Sequence, residues 1–154
     1  MVERVAERLR ALEDREAIRD LIARYGPLAD CGDAAGVAAL FAQDAVYAVG
    51  GMGEAHGREA IAALIEGPVH RALMADGCAH VLTSPAIDLA GDRATARCHS
   101  VVFRKEGEGW QAVRVSANRW ELARAGKGWQ VTRRDNRLLD GSDAAQALLG
   151  NSAP

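Results

Sequence analysis

The chain lacks the motifs that usually organise metals, cofactors and membranes. Its three cysteines, Cys31, Cys78 and Cys98, are odd in number and widely spaced. With no CxxC or HExxH string beside them, they read as buried or incidental thiols, neither disulfide partners nor zinc ligands. The glycine stretch Gly50-Gly51-Met52-Gly53 has neither the GxGxxG spacing nor the strand-turn-helix setting of a dinucleotide site, so it reads as a flexible pocket rim and no nicotinamide cofactor is implied. No serine stands in a GxSxG setting, which removes the commonest hydrolase signature. No apolar run approaches the ~20 residues a membrane-spanning helix needs. Met1 to Arg10 lacks the basic region, apolar stretch and cleavage site of a secretory signal, and a cytoplasmic location is expected. A net charge of −2 gives no global reason to bind nucleic acid or an anionic membrane. A small molecule or a protein partner is left as the expected ligand.

What is present describes an ordinary α+β domain. At 154 residues, 49% hydrophobic and 26% charged, the chain is long enough to bury one core without staples. From Val5 to Leu28 the residues Leu9, Leu12, Ile18, Leu21, Ile22 and Tyr25 recur near helical spacing, predicting an amphipathic helix that ends around Gly26-Pro27 or just beyond. A short helix is expected from Asp33 to Phe41, a short strand from Ala45 to Val49, and a helix from Arg58 to Glu66 that closes at Gly67-Pro68. Extended segments follow: His80 to Leu89, Arg93 to Lys105, Trp110 to Ala123 and Trp129 to Leu139, separated by glycine-containing turns. They predict an antiparallel meander with helices on one face. A single domain is expected over residues 1–141, with 142–154 as a short helix or loose tail.

The order helix, helix, short strand, helix, meander resembles the nuclear-transport-factor-2-like superfamily, and local strings resemble its SnoaL-like branch. These strings include Asp14-Arg15-Glu16-Ala17-Ile18, Tyr25 through Asp30, Phe41-Ala42-Gln43-Asp44-Ala45-Val46-Tyr47, Gly57-Arg58-Glu59-Ala60-Ile61, His80-Val81-Leu82-Thr83-Ser84-Pro85 and Gly128-Trp129-Gln130-Val131. The resemblance implies a cystatin-like, NTF2-like curved antiparallel sheet, with N-terminal helices enclosing a conical pocket for a small, largely apolar or aromatic molecule. It also implies a homodimer or homotrimer. In function the chain resembles the scytalone-dehydratase, bile-acid-dehydratase and ketosteroid-isomerase types. In the two dehydratases a tyrosine and an aspartate near the end of the first helix face a histidine from the sheet, and Tyr25, Asp30 and His80 occupy matching places.

Elimination or isomerisation beside a carbonyl requires a base for a carbon-bound proton, an acid for the oxygen and donors for a transient oxyanion. His80 suits the first task because a neutral imidazole accepts a proton at cytoplasmic pH. Asp30 either orients that ring, stabilises its cation, or acts as the base. Tyr25 and Tyr47 are expected donors to a substrate oxygen, although Tyr25 also lies on the apolar helical stripe. His99 and Asn118 join the pocket if their strands have the right phase, and a slip of one residue turns them outward. Trp120 shares parity with Asn118 and is a candidate apolar wall. Within the Arg133, Arg134 and Arg137 cluster, Arg134 is the candidate that points inward, toward a carboxylate or phenolate. His56 and His70 read as surface or loop residues, or as the edge of the pocket mouth. The expected function is a cofactor-independent, dehydratase-like lyase or an isomerase acting on a small hydroxylated aromatic, polyketide or steroid-like compound, with loss of another small fragment as a variant. The alternative is a noncatalytic ligand-binding protein, or an accessory subunit resembling the small subunits of ring-hydroxylating dioxygenases.

Overall fold

A computed structural model describes residues 1–150. The first helix, α1, spans Val2–Asp30 and buries Ile18, Ile22, Tyr25 and Ala29 along one stripe. It continues through Pro27 and ends just beyond it, within the expected limit. Its last turn is held from outside: Gly26 lies so close to the sheet that an added Cβ would sit 2.2 Å from the His80 carbonyl oxygen. A short helix, α2 (Ala34–Ala39), follows, capped by Asp33, whose Oδ1 accepts the Gly36 N–H at 2.8 Å.

Strand β1 (Phe41–Val49) and a short β2 (Gly53–His56) form a hairpin at one end of the sheet. Two helices come next, α3 (Gly57–Glu66) and α4 (Pro68–Asp76). The sequence reading contains no helix at α4. A proline at the first helical position both closes one helix and opens another, and its first role masks its second. The extended run expected from His80 to Leu89 is two strands, β3 (Cys78–Leu82) and β4 (Ala86–Ala90), parted at Pro85. Both pair with the long β5 (Arg93–Glu106), which pairs in turn with β6 (Gly109–Ala125), and β6 pairs with β7 (Gly128–Leu138). A last helix, α5, covers Asp143–Leu149. The loose end expected at the terminus falls, at 151–154, outside the described residues.

The sheet runs β2-β1-β7-β6-β5-β3, with β4 also on β5. The expected meander is antiparallel, while β1 joins β7 in parallel and makes the sheet mixed. Parallel pairing is possible because the connection from β1 to β7 is long, containing helices and the whole meander. Register shifts at Val102/Phe103 and Glu121/Leu122 each place an extra residue in one strand, which bends and twists the sheet. Helices α1 to α3 cover its inner face, closing a core of Ile18, Val37, Phe41, Ile61, Trp120 and Leu122. Among the described residues no helix is long and apolar enough to cross a membrane.

A second tie fixes α1 to the far side of the sheet. Asp14 accepts the Trp129 indole N–H at 2.9 Å and two guanidinium N–H groups of Arg124 at 3.0 and 2.8 Å. The Arg124 hydrogen bonds hold the Asp14 carboxyl below its usual range.

The close approach at Gly26 gives a direct prediction. Gly26→Ala forces a methyl group onto the His80 carbonyl and destabilises the fold by about 1–3 kcal/mol, the usual cost of overpacking. Urea unfolding followed by tryptophan fluorescence reads this as a lowered midpoint, and an unchanged midpoint contradicts the contact.

Candidate functional site

The helices and the inner face of the sheet enclose a cavity of about 110 Å³. Its polar wall is made by Tyr25, Tyr47, His70, His80, Arg114 and Arg134, and its apolar side by residues such as Met52, Leu64, Val69 and Leu73. An apolar shell with a few converging polar groups is the composition of a small-ligand site.

Asp30 and His80 meet at one corner. The His80 Nδ1–H donates to Asp30 Oδ1 at 2.6 Å, and the His80 backbone N–H donates to both carboxylate oxygens at 3.1 and 2.9 Å. The carboxylate thus fixes both the tautomer of the ring and the position of the strand that carries it. Nε2 becomes the acceptor atom, and it has no protein partner among the described residues. Burial pushes the His80 imidazolium below its ordinary pKa, the Asp30 carboxylate acts against that shift, and the positive charges of His70 and Arg134 add to it.

Arg134 supplies an unusual floor. It is 2% exposed, and its Nε and Nη2 donate to Asn118 Oδ1 at 3.0 and 2.9 Å, while Nη1 has no hydrogen-bond partner among the described residues. Three rings take the place of a counter-ion, with the guanidinium carbon 4.1 Å from the Tyr25 centroid, 4.2 Å from Trp120 and 4.6 Å from Tyr47. Strand register explains the cluster: Tyr47 pairs with Arg134, and Arg134 pairs with Trp120, so the three side chains share one face of the sheet. Desolvation drives the Tyr47 phenol well above its ordinary pKa, only partly opposed by Arg134. Tyr47 is therefore a hydrogen-bond donor at every physiological pH.

The candidate residues divide by position. Tyr25, Tyr47, His80 and Arg134 line the cavity, with Asp30 directly behind His80. Asn118 and Trp120 are fully buried and stand behind the cavity, holding Arg134 from below; Asn118 also donates to Ser100 Oγ at 2.8 Å and accepts from Asn136. His99 points away from the cavity and is exposed, because its neighbours Cys98 and Ser100 take the inward positions of β5. Of the two readings of His70, surface or loop is overturned, and a place at the pocket fits. It is 7% exposed, lines the cavity, and donates from Nε2 to the Ala29 carbonyl at 2.6 Å. Its signal was hidden with α4, the helix that carries it.

One group among the described residues has the composition of a metal site, since ligand atoms of Asp30, Cys78 and His80 lie within 4.8 Å of one another. Its protons argue for another use. Asp30 Oδ1 already accepts from His80 Nδ1 at 2.6 Å and from the Cys78 thiol at 3.6 Å, and burial together with Asp30 pushes that thiol up to about 11. An ion would have to displace both protons, whereas an acid–base pair uses them as they stand.

Comparison with known proteins agrees with this architecture. Residues 10–135 match the SnoaL-like domain family. An NTF2-like protein with a cystatin-like fold from Novosphingobium aromaticivorans is 59% identical over 97% of each chain, with a TM-score of 0.95. ActVI-ORFA from Streptomyces coelicolor is similar at 21% identity, over 82% of this chain and 98% of that one, with a TM-score of 0.71. A Novosphingobium aromaticivorans protein provisionally named a scytalone dehydratase is similar at 20% identity, over 83% and 85%, with a TM-score of 0.68. No curated protein matches the sequence. The fold class and family expected from the sequence strings are both borne out.

Removing the Asp30 charge while keeping its shape should move His80 further in the direction burial already drives it. In Asp30→Asn the His80 ring is expected to titrate at a lower pH than in the wild type, as read by imidazole ¹H–¹⁵N NMR. A midpoint that stays in place or rises contradicts the pairing.

Proposed function

The chain belongs to the SnoaL-like domain family, and from that premise we propose that it is a cofactor-independent lyase or isomerase working by acid–base chemistry on a small hydroxylated aromatic, polyketide or steroid-like compound. The observation that carries the proposal is the half-buried Asp30–His80 pair, with Nδ1 bound by the carboxylate and Nε2 left as the free acceptor of a cavity-lining ring. A neutral imidazole in that state is a base for a carbon-bound proton. The Asp30 charge stabilises the imidazolium as it forms.

Negative charge then develops on the substrate oxygen. Tyr25 and Tyr47, whose rings meet edge to face at 6.3 Å, supply hydroxyl donors for it. The guanidinium of Arg134 beneath both rings adds a fixed positive charge in a site shielded from water. Asn118 and Trp120 contribute by positioning Arg134. These parts suit loss of water, loss of another small fragment, or a proton shift beside a carbonyl, because each needs one proton moved and one oxyanion stabilised.

A noncatalytic binding protein or accessory subunit is the second reading. The half-buried carboxylate–imidazole pair weighs against it, since holding a partly desolvated carboxylate at a cavity wall is costly unless its charge is used. For the assembly we propose a homodimer or homotrimer. Val81 and Val115 are 47% and 42% exposed and stand in register with Val101 between them, an apolar row that a second copy would cover.

The test is a cofactor-free turnover screen by mass spectrometry on hydroxylated aromatic and steroid compounds. Wild-type protein is expected to release water or a small carbon fragment, with His80→Ala and Asp30→Asn each slower by at least ~100-fold while remaining folded, the scale of a lost acid or base. Binding without turnover favours the second reading. Turnover indifferent to both changes removes the pair from the mechanism.

A further inference from the structure

His70 has no part in the reaction as set out above, yet it stands at its centre. Its ring centroid is 5.3 Å from that of His80, with the planes 36° apart, and both rings line the cavity. They come from different elements, His70 from α4 and His80 from β3. The two rings are anchored through opposite nitrogens. His80 gives its Nδ1–H to the Asp30 carboxylate, while His70 gives its Nε2–H to the Ala29 carbonyl. Ala29 and Asp30 are the last two residues of α1, so one helix end sets the tautomers of both imidazoles and leaves a different atom free on each.

We propose that His70 is a second catalytic acid–base residue, so that the site works as an imidazole pair. This rests on the lyase reading above. His70 carries the proton for the departing oxygen on Nδ1, and His80 Nε2 takes the proton from carbon. As the C–H electrons form the new double bond, the C–O bond breaks and its electron pair stays with the oxygen. That oxygen takes the Nδ1 proton and leaves as water. His80 then holds one proton more and His70 one fewer, and transfer between the neighbouring rings through a water molecule resets the pair.

The surroundings suit this division. Asp30 favours positive charge on His80 once it has acted. The carbonyl end of α1, with its partial negative charge, lies against the donating edge of the His70 ring. Two imidazolium ions this close would repel each other, and the reaction as drawn asks for only one proton between the two free atoms.

Two measurements decide the matter. His70→Gln places an amide N–H where Nε2–H was, so the bond to Ala29 survives while the ring acid is gone. On any compound the wild type converts, H70Q is expected to lose at least ~100-fold in kcat with ligand binding and thermal midpoint unchanged. Near-wild-type kcat in H70Q beside an inactive H80A overturns the role of His70 and leaves the lyase reading standing; full activity in both variants removes both. The second measurement needs no substrate and no variant. ¹H–¹⁵N correlation of the wild-type imidazoles is expected to show His70 protonated on Nε2, and His80 in its neutral form protonated on Nδ1. A neutral His70 protonated on Nδ1 alone overturns the proposal.

Discussion

The site depends on one carboxylate. Asp30 ends the long first helix and receives two N–H groups of His80, one from the ring and one from the backbone. The backbone bond holds the middle of β3 against the helix end, and the ring bond sets which nitrogen is left free. The helix can come close enough only because Gly26, one turn earlier, has no side chain to strike the His80 carbonyl. Helix end, strand position and ring tautomer are therefore coupled through one carboxylate. A change at any of the three is felt at the other two.

Arg134 is the second constraint, and its energetics differ. A buried cation without a carboxylate carries a desolvation penalty of several kcal/mol. Offsetting it are three ring faces, each worth about 0.5–2 kcal/mol, and charged hydrogen bonds to Asn118 of about 1.5–3 kcal/mol each. Asn118 is itself held in a row with Ser100 and Asn136. None of these groups carries a full negative charge, so the guanidinium keeps its field for whatever enters the cavity. Burial lowers the His80 pKa, and the Arg134 charge adds to that shift.

Much of this was legible in the sequence, for identifiable reasons. The stripe from Ile18 to Tyr25 and the strings around Asp30, Tyr47 and His80 are local signals, and they pointed to the fold and to four side chains that the structure brings together. Arg134 was legible through alternation along a single strand. The limits were equally physical. His99 was offered with Asn118 because parity along each strand is visible while the phase between strands is not; pairing sets Asn118 opposite Cys98, which puts His99 on the other face. The helix that carries His70 leaves no clear trace, because Pro68 reads as a helix breaker. The parallel pairing of β1 with β7, which places Tyr47 over Arg134, joins residues far apart in the chain and leaves no local trace.

The proposed reaction begins with removal of a proton from carbon by His80, oriented by Asp30. It can be tested most directly without the natural substrate, by following hydrogen–deuterium exchange beside the carbonyl of 2-tetralone in deuterium oxide by NMR, at a concentration that saturates the cavity. The account predicts exchange at least ~100-fold above the buffer rate in wild-type protein, falling to the buffer rate in H80A. Exchange at the buffer rate with the ketone demonstrably bound, or equal exchange in both proteins, would contradict it.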